Sequence, residues 1–429
     1  MSNLINEGAL KRVISLAKEP LFRSSFLSFL GLISRALVQF LYFIVVSKSL
    51  GVEQYGVLSA GLSACLLLFP LSGWGVSNIL SKRISQTAAV NGVVPFLVLR
   101  LLATSIPLFA LVLGYFALLG SDLKIIEILL LLLSELVFLA IMQNVNVILM
   151  ASKKPALAAA SVNVIPIIRL VLVSLLWAME LINLFNVISV NFIGSILGFL
   201  CGFGMLYQCF GGLAFQVSKR EVGSPFLGGS YAVGNWIGKS YQELDKLLIY
   251  ALIGAGALGN YMIAFRLVSV FTLPVTALMS AALPAFHEVQ STNAWWRSVK
   301  RVALVVILYS LLASLVSIVA VTFVIDHFFE QYRSAGSYVF LMAIWLLFYG
   351  ARQLGGVAMV TIGRERTRMS IEVIGALLLL ALGGMLVGAY GGLGVALALV
   401  LSEFSVAVFL WLYLFGVARK KVHTSGESA

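Results

Sequence analysis

Seven basic side chains fall inside segments that otherwise have the composition of membrane-spanning helices: Arg35, Arg100, Arg169, Lys239, Lys246, Arg266 and Arg352. A basic residue at the centre of a bilayer costs roughly 2.5–3.5 kcal/mol on insertion scales. Seven of them imply a polar interior that holds something negative, such as a phosphate or diphosphate. Arginine would grip phosphate through its forked donors, and lysine as a point charge. Acids within the same segments are fewer: Glu127, Glu135, Glu243, Asp245 and Glu403, with Glu372 near a segment end.

Several of these residues share helix faces. Asn235, Lys239, Gln242 and Lys246 follow i, i+4, i+7, i+11. Glu243 lies four residues after Lys239, close enough to pair, and Asp245 lies off the stripe. Ser28, Arg35, Gln39 and Tyr42 form a second stripe, and Glu135, Gln143 and Asn146 a third. Arg266 is accompanied by Ser269, and Arg352 by Gln353. In lipid such stripes face protein or water. Each cation also has a plainer reading. Arg100 and Lys246 are near enough to segment ends to snorkel, and Arg169 can be the structural partner of Glu135 or Glu180.

Enzyme chemistry finds no support. Gly234-Asn235-Trp236-Ile237-Gly238-Lys239-Ser240 has three residues between its glycines where a phosphate-binding loop needs four, and it lies in a span. His287, His327 and His423 are scattered near loops. Cys65, Cys201 and Cys209 have neither metal nor disulfide spacing and read as small core residues. No cofactor, metal or nucleophile–base pair is expected.

The elements that carry these residues follow from composition. The chain of 429 residues is 61% hydrophobic and 11% charged, against about 25% charged in soluble domains. Its apolar residues come in blocks of bilayer length, about 20 residues each. Twelve are expected, near 24–47, 56–80, 93–119, 125–150, 156–179, 183–209, 226–251, 257–284, 300–325, 337–361, 369–390 and 393–417. The first starts past residue 20, is too long for a signal-peptide core and lacks a small-residue cleavage pattern, so an uncleaved membrane segment is expected.

Loop charge alternates. The termini and the even-numbered gaps carry nineteen Lys and Arg, including Lys82, Arg83, Lys153, Lys154, Arg364, Arg366 and Arg368; the opposite gaps carry Lys48, Lys124 and Arg333. The positive-inside rule then puts both termini in the cytoplasm. The net charge of +12 is largely this asymmetry, so nucleic acid is not an expected partner.

The expected organisation is an all-α polytopic membrane protein. A six-helix lobe over 1–210, a cytoplasmic linker at 211–225 and a second six-helix lobe with a basic tail over 226–429 make it up. The halves echo each other. Leu50-Gly51-Val52-Glu53-Gln54-Tyr55-Gly56 and Gly256-Ala257-Leu258-Gly259-Asn260-Tyr261 each precede a mid-span proline, Pro70 and Pro274, as a parallel repeat would. Gly194, Gly198 and Gly202, and also Gly384 and Gly388, mark faces for close helix packing. Trp295 and Trp296 beside Arg297 resemble an interfacial anchor.

The 50–56 segment resembles the L-G-x-x-x-Y-G entry of polysaccharide-unit flippases. Asp245-Lys246-Leu247-Leu248, Gly259-Asn260-Tyr261 and Ala264-Phe265-Arg266-Leu267 resemble that family's D-K-x-x-(I/L), G-x-Y and A-x-R-L stretch, and Leu283-Pro284 its end of span 8. The chain thus resembles O-antigen (Wzx-like) flippases of the multidrug/oligosaccharidyl-lipid/polysaccharide exporter superfamily. The resemblance implies twelve helices in two lobes arranged as a V around a cationic central cavity. It implies movement of an undecaprenyl-diphosphate-linked oligosaccharide from the cytoplasmic to the periplasmic leaflet of a bacterial inner membrane, by alternating access and without enzymatic chemistry. Membrane lipids, a polysaccharide polymerase and a chain-length regulator are the implied partners. Arg35 and Arg266 match regions where such flippases place cavity arginines. Lys239, Lys246, Arg169 and Arg352 join them on residue chemistry alone, and Glu135, Asp245 and Glu403 are candidates for ion coupling. A drug/cation antiporter, a peptidoglycan-precursor flippase and an integral-membrane glycan polymerase or ligase remain as alternatives. The first would favour an acid-rich cavity, the second fourteen spans and the third a large periplasmic loop.

Overall fold

Inside a bilayer, backbone N–H and C=O groups must be bonded within the protein, which leaves helices as the simplest solution for an apolar chain. The computed structural model describes residues 20–87, 93–120, 122–210, 228–289 and 292–426. Lys11, Arg12, Lys18 and the 211–225 linker lie outside the described residues, as do the side chains of Arg23, Ser28 and the basic 419–421 run. The described residues are helical almost throughout and contain no strand.

The helices are α1 Pro20–Leu68, α2 Val76–Thr87, α3 Val93–Leu119, α4 Ile125–Ala151, α5 Pro155–Ala178, α6 Leu184–Phe210 and α7 Gly229–Leu252. There follow α8 Ala255–Ser269, α9 Leu273–Glu288, α10 Thr292–Phe328, α11 Gly336–Thr361, α12 Glu365–Tyr390 and α13 Gly392–Gly426. Local chemistry sets several ends. Glu127 accepts the backbone N–H of Lys124 at 2.8 Å, capping α4. Asn183 does the same for Asn186 at 2.9 Å at the start of α6. Gly363 and Gly391, with φ of 70° and 55°, lie in the turns before α12 and α13.

Among the described residues, ten helical stretches are long and apolar enough to cross a membrane. The difference from the twelve expected blocks has two causes. Expected spans 1 and 2 form one continuous stretch, bent at Gly51, where φ is 76°. Expected span 7 is helical, as α7, but carries Lys239, Glu243, Asp245 and Lys246 and is too polar to qualify. The membrane-facing pattern is plain on α10, where Leu304, Leu308, Leu312, Leu315, Val319 and Phe323 form an exposed apolar stripe. Charged and polar residues are among the buried ones elsewhere.

The chain divides into two compact units, Met1–Ser49 with Leu68–Val233, and Leu50–Leu67 with Gly234–Ala429. The part of α1 after the Gly51 bend therefore groups with the second unit, not with the other early spans. In the first unit, a Cβ on Gly194, Gly198 or Gly202 would lie 2.8, 2.3 or 2.3 Å from side-chain atoms of Arg169, Ile165 or Met142. That glycine face is a tight seam between α6 and its neighbours. The face expected at Gly384 and Gly388 is different: an added Cβ would meet nothing within 4 Å at either, whereas one on Gly383 would lie 2.4 Å from Leu248. The close contact on this helix thus falls at Gly383, about 100° round the helix axis from Gly384. Only Cys65 of the three cysteines is buried; Cys201 is exposed on an apolar helix and Cys209 is intermediate. Trp295 is largely buried and donates to Thr361 at 3.2 Å, while Trp296 stacks on Phe415.

Candidate functional site

In the first unit the polar residues converge on Arg169 of α5. Residues Leu133–Phe138 of α4 form a π-helical turn, a feature that inserts one residue and often marks a functional site. It aims Ser134 and Glu135 at Arg169, whose Nη2 lies 2.7 Å from Ser134 Oγ and 2.6 Å from Glu135 Oε1. Ser195 of α6 accepts from the same nitrogen at 2.6 Å. Gly194 is what allows the arginine stem to pass α6. Arg35 of α1 is partly exposed and feels the charges of both Glu135 and Arg169. Tyr42, two turns further along α1, donates to Asn191 at 2.7 Å, beside the same cluster, since Ser134 donates to the Asn191 carbonyl at 3.2 Å. Glu135 is thus the partner of Arg169, and Glu180 is exposed. The stripe expected through Glu135, Gln143 and Asn146 is broken. Glu135 is buried, Gln143 is exposed and Asn146 donates to Ala158 at 2.7 Å. The extra π residue rotates Glu135 away from the other two.

Arg100 is buried, with Nη2 3.4 Å from the Trp74 carbonyl. It faces protein and does not snorkel.

The second unit holds a cavity of about 160 Å³ beside α7, α8, α11 and α13. Arg352 and Lys246 line it, together with Glu243, Asp245 and Glu403. Two cations against three carboxylates make this cavity acidic, not cationic. Arg352 Nε lies 2.5 Å from Glu403 Oε1, and its Nη1 lies 3.9 Å from Glu372 Oε1. Glu372 is also held by Arg368 at 2.9 Å, one turn earlier on α12. The Arg352 guanidinium carbon sits 5.3 Å from the Tyr241 ring centre and 5.6 Å from that of Tyr349, close enough for cation–π attraction. Glu403 Oε2 is buried with no hydrogen-bond partner among the described residues.

Lys246 is equally enclosed. It donates to the Gln242 carbonyl, lies 3.4 Å from both Glu243 and Asp245, and sits 4.3 Å over the Phe265 ring. Asp245 accepts a hydrogen bond from the Tyr261 hydroxyl. Glu243 therefore pairs with Lys246, not with Lys239. Lys239 is exposed and donates to Gln242 Oε1 at 3.4 Å. Arg266 is partly exposed and reaches the hydroxyl of Tyr55, so that the two stretches carrying the sequence resemblance meet through these side chains.

The nine candidates thus form three sets. Arg169, Lys246 and Arg352 are locked to internal carboxylates, and Glu135, Asp245 and Glu403 are the carboxylates that lock them. Arg35, Lys239 and Arg266 make no ion pair within 4.0 Å among the described residues. The Arg368–Glu372 link escaped the sequence reading, although its i, i+4 spacing on one helix was available. The π-turn and the Ser134–Ser195 pair left no such signal. Among the described residues, no group of three or more His, Cys, Asp or Glu is placed to hold a metal ion.

The chain belongs to the family described as polysaccharide biosynthesis protein, whose model matches residues 21–290. No curated protein matches it significantly. Among solved structures, it is similar to an inward-facing multidrug resistance MATE family transporter of the MOP superfamily. That match has 14% identity and a TM-score of 0.71, covering 92% of this chain and 99% of the other. An outward-facing structure of the same description aligns at 13% identity and a TM-score of 0.59, over 96% and 97% of the two chains. The MATE multidrug transporter DinF-BH aligns at 16% identity and a TM-score of 0.61, over 93% and 95%. The fold is therefore that of the MATE transporters.

Proposed function

We propose that this protein is a flippase. It moves an undecaprenyl-diphosphate-linked oligosaccharide repeat unit from the cytoplasmic to the periplasmic leaflet of a bacterial inner membrane by alternating access. Both termini lie in the cytoplasm, and a polymerase and chain-length regulator receive the product. The observation that carries this reading is the set Arg35, Lys239 and Arg266. Arg35 and Arg266 lie in stretches apolar and long enough to cross a membrane and Lys239 in the more polar α7; none has an ion-pair partner among the described residues and all are at least partly exposed, in a chain of the polysaccharide biosynthesis family. A cation left unpaired in a membrane is costly unless something anionic visits it. A diphosphate headgroup supplies that charge while the polyprenyl tail stays in lipid.

The acidic cavity of the second unit supports a separate role for Glu403 and Asp245 in binding a coupling cation or proton. The same acid excess is what a drug/cation antiporter would need, so that reading is retained as the rival. Complementation separates them. Expression in a strain lacking its polysaccharide-unit flippase should restore surface polysaccharide and leave resistance to cationic drugs unchanged. Raised drug resistance without restored polysaccharide would overturn the flippase reading.

A further inference from the structure

Arg169 holds Glu135 by a single corner. Its hydrogen bonds to Ser134 Oγ, Glu135 Oε1 and Ser195 Oγ all leave from Nη2. Nε is buried and has no hydrogen-bond partner among the described residues. Arginine and carboxylate frequently meet through two parallel N–H···O bonds, the stronger and more specific arrangement. Here that fork is not formed. The single O–H of Ser134 has Glu135 Oε1 and the Asn191 carbonyl both within reach at 3.2 Å, so the contacts of the carboxylate gather on one oxygen. Arg35, coupled by charge to both residues, forms no ion pair within 4.0 Å among the described residues. Glu135 thus faces Arg169 in direct contact and the charge of Arg35 at longer range, and Arg169 keeps an unused donor at Nε.

From this geometry we infer that Glu135 is an internal counter-anion that competes with the substrate's phosphate for Arg169. The inference rests on the diphosphate reading above. With no substrate present, Glu135 neutralises Arg169 and keeps the guanidinium from standing uncompensated in the membrane. A phosphate carries more charge than the carboxylate and can take the fork that Glu135 leaves open, with Arg35 as its second anchor. When the substrate leaves, Glu135 returns to Arg169. A positioning residue of this kind sets both affinity and release: without its charge, the anion should bind more tightly and leave more slowly.

The test uses the purified full chain in lipid nanodiscs, with inorganic pyrophosphate as the probe in titration calorimetry. Glu135→Gln should bind pyrophosphate roughly tenfold more tightly than the parent, a coupling in the ordinary range between two ligands of one site. Its flipping turnover in proteoliposomes should fall. In an Arg169→Gln background the gain in affinity should disappear, because the competition acts through that guanidinium. Glu135→Asp, which keeps the charge but shortens the reach, should bind more tightly by a smaller factor, and serves if Glu135→Gln fails to fold. Unchanged or weaker binding by a folded Glu135 variant, with the parent binding pyrophosphate, overturns the counter-anion role alone. A folded parent that binds no pyrophosphate overturns the diphosphate reading with it.

Discussion

Gly56 and Gly259 lie where two helices of the second unit touch backbone to backbone. A Cβ on Gly56 would fall 1.9 Å from the carbonyl oxygen of Ala255, and one on Gly259 would fall 2.1 Å from that of Val52. The obstacles are main-chain atoms, so no rotamer change relieves them. Tyr55, next to Gly56, packs edge-on against Tyr332 and reaches Arg266. The crossing thus fixes the segment that carries one of the proposed substrate cations. Gly56→Val should destabilise the protein by about 1–3 kcal/mol, the usual cost of overpacking, or more. Thermal unfolding in detergent measures it. A variant that melts with the parent would show that the helices separate at no cost.

Arg352 and Glu403 provide a test of structure against transport. Both are buried, 2.5 Å apart, and Glu403 already has one oxygen without a partner. Arg352→Met alone should cost about 3–5 kcal/mol, because it strands a buried carboxylate. The double variant Arg352→Met/Glu403→Leu should recover most of that, since Glu372 keeps Arg368 as partner. Stability of these two variants and of Glu403→Leu, each against the parent in a double-mutant cycle, gives the coupling. If Arg352→Met melts like the parent but fails to transport, Arg352 belongs with the substrate cations and not with the internal pairs.

The helices were legible in the sequence because bilayer length and loop charge are global signals. Their pairing was not. Lys239 and Glu243 have the right spacing on a helix, yet Lys246 captures Glu243 because burial leaves its ammonium no water to turn to. Glu135 with Arg169 could be named as a pair from charge alone, but not the single-nitrogen geometry. That depends on a π-turn whose extra residue no apolar periodicity reveals. The cationic interior was read from seven residues taken together. Three-dimensional proximity to Glu135, Asp245 and Glu403 neutralises three of them, Arg100 is buried against the Trp74 carbonyl, and Arg35, Lys239 and Arg266 remain as the set to test.

For Arg35 and Lys239, charge and shape can be separated. Alanine at either position should reduce polysaccharide display several-fold at equal protein level. Lys at 35 or Arg at 239 should retain most of it, because a phosphate accepts either cation, though arginine adds forked geometry. Quantitative display assays normalised to membrane protein provide the measurement. Full display by both alanine variants would remove these two residues from substrate handling.

Asp245 is held by the Tyr261 hydroxyl and by Lys246 at 3.4 Å, and the tyrosine is itself completely buried. Tyr261→Phe removes a donor to a buried charge and should cost about 1.5–3 kcal/mol. Asp245→Asn is the informative companion. Its amide oxygen can still accept from Tyr261, so the tyrosine is not stranded, but the negative charge is gone and Lys246 keeps only Glu243. If Asp245 serves packing alone, Asp245→Asn should melt somewhat lower and flip at a rate that tracks the folded fraction. If it binds the coupling ion, the folded variant should lose the dependence of flipping on an imposed ion gradient while still equilibrating substrate between leaflets. Proteoliposomes with and without the gradient distinguish the two, and a folded variant with gradient dependence equal to the parent would remove Asp245 from coupling.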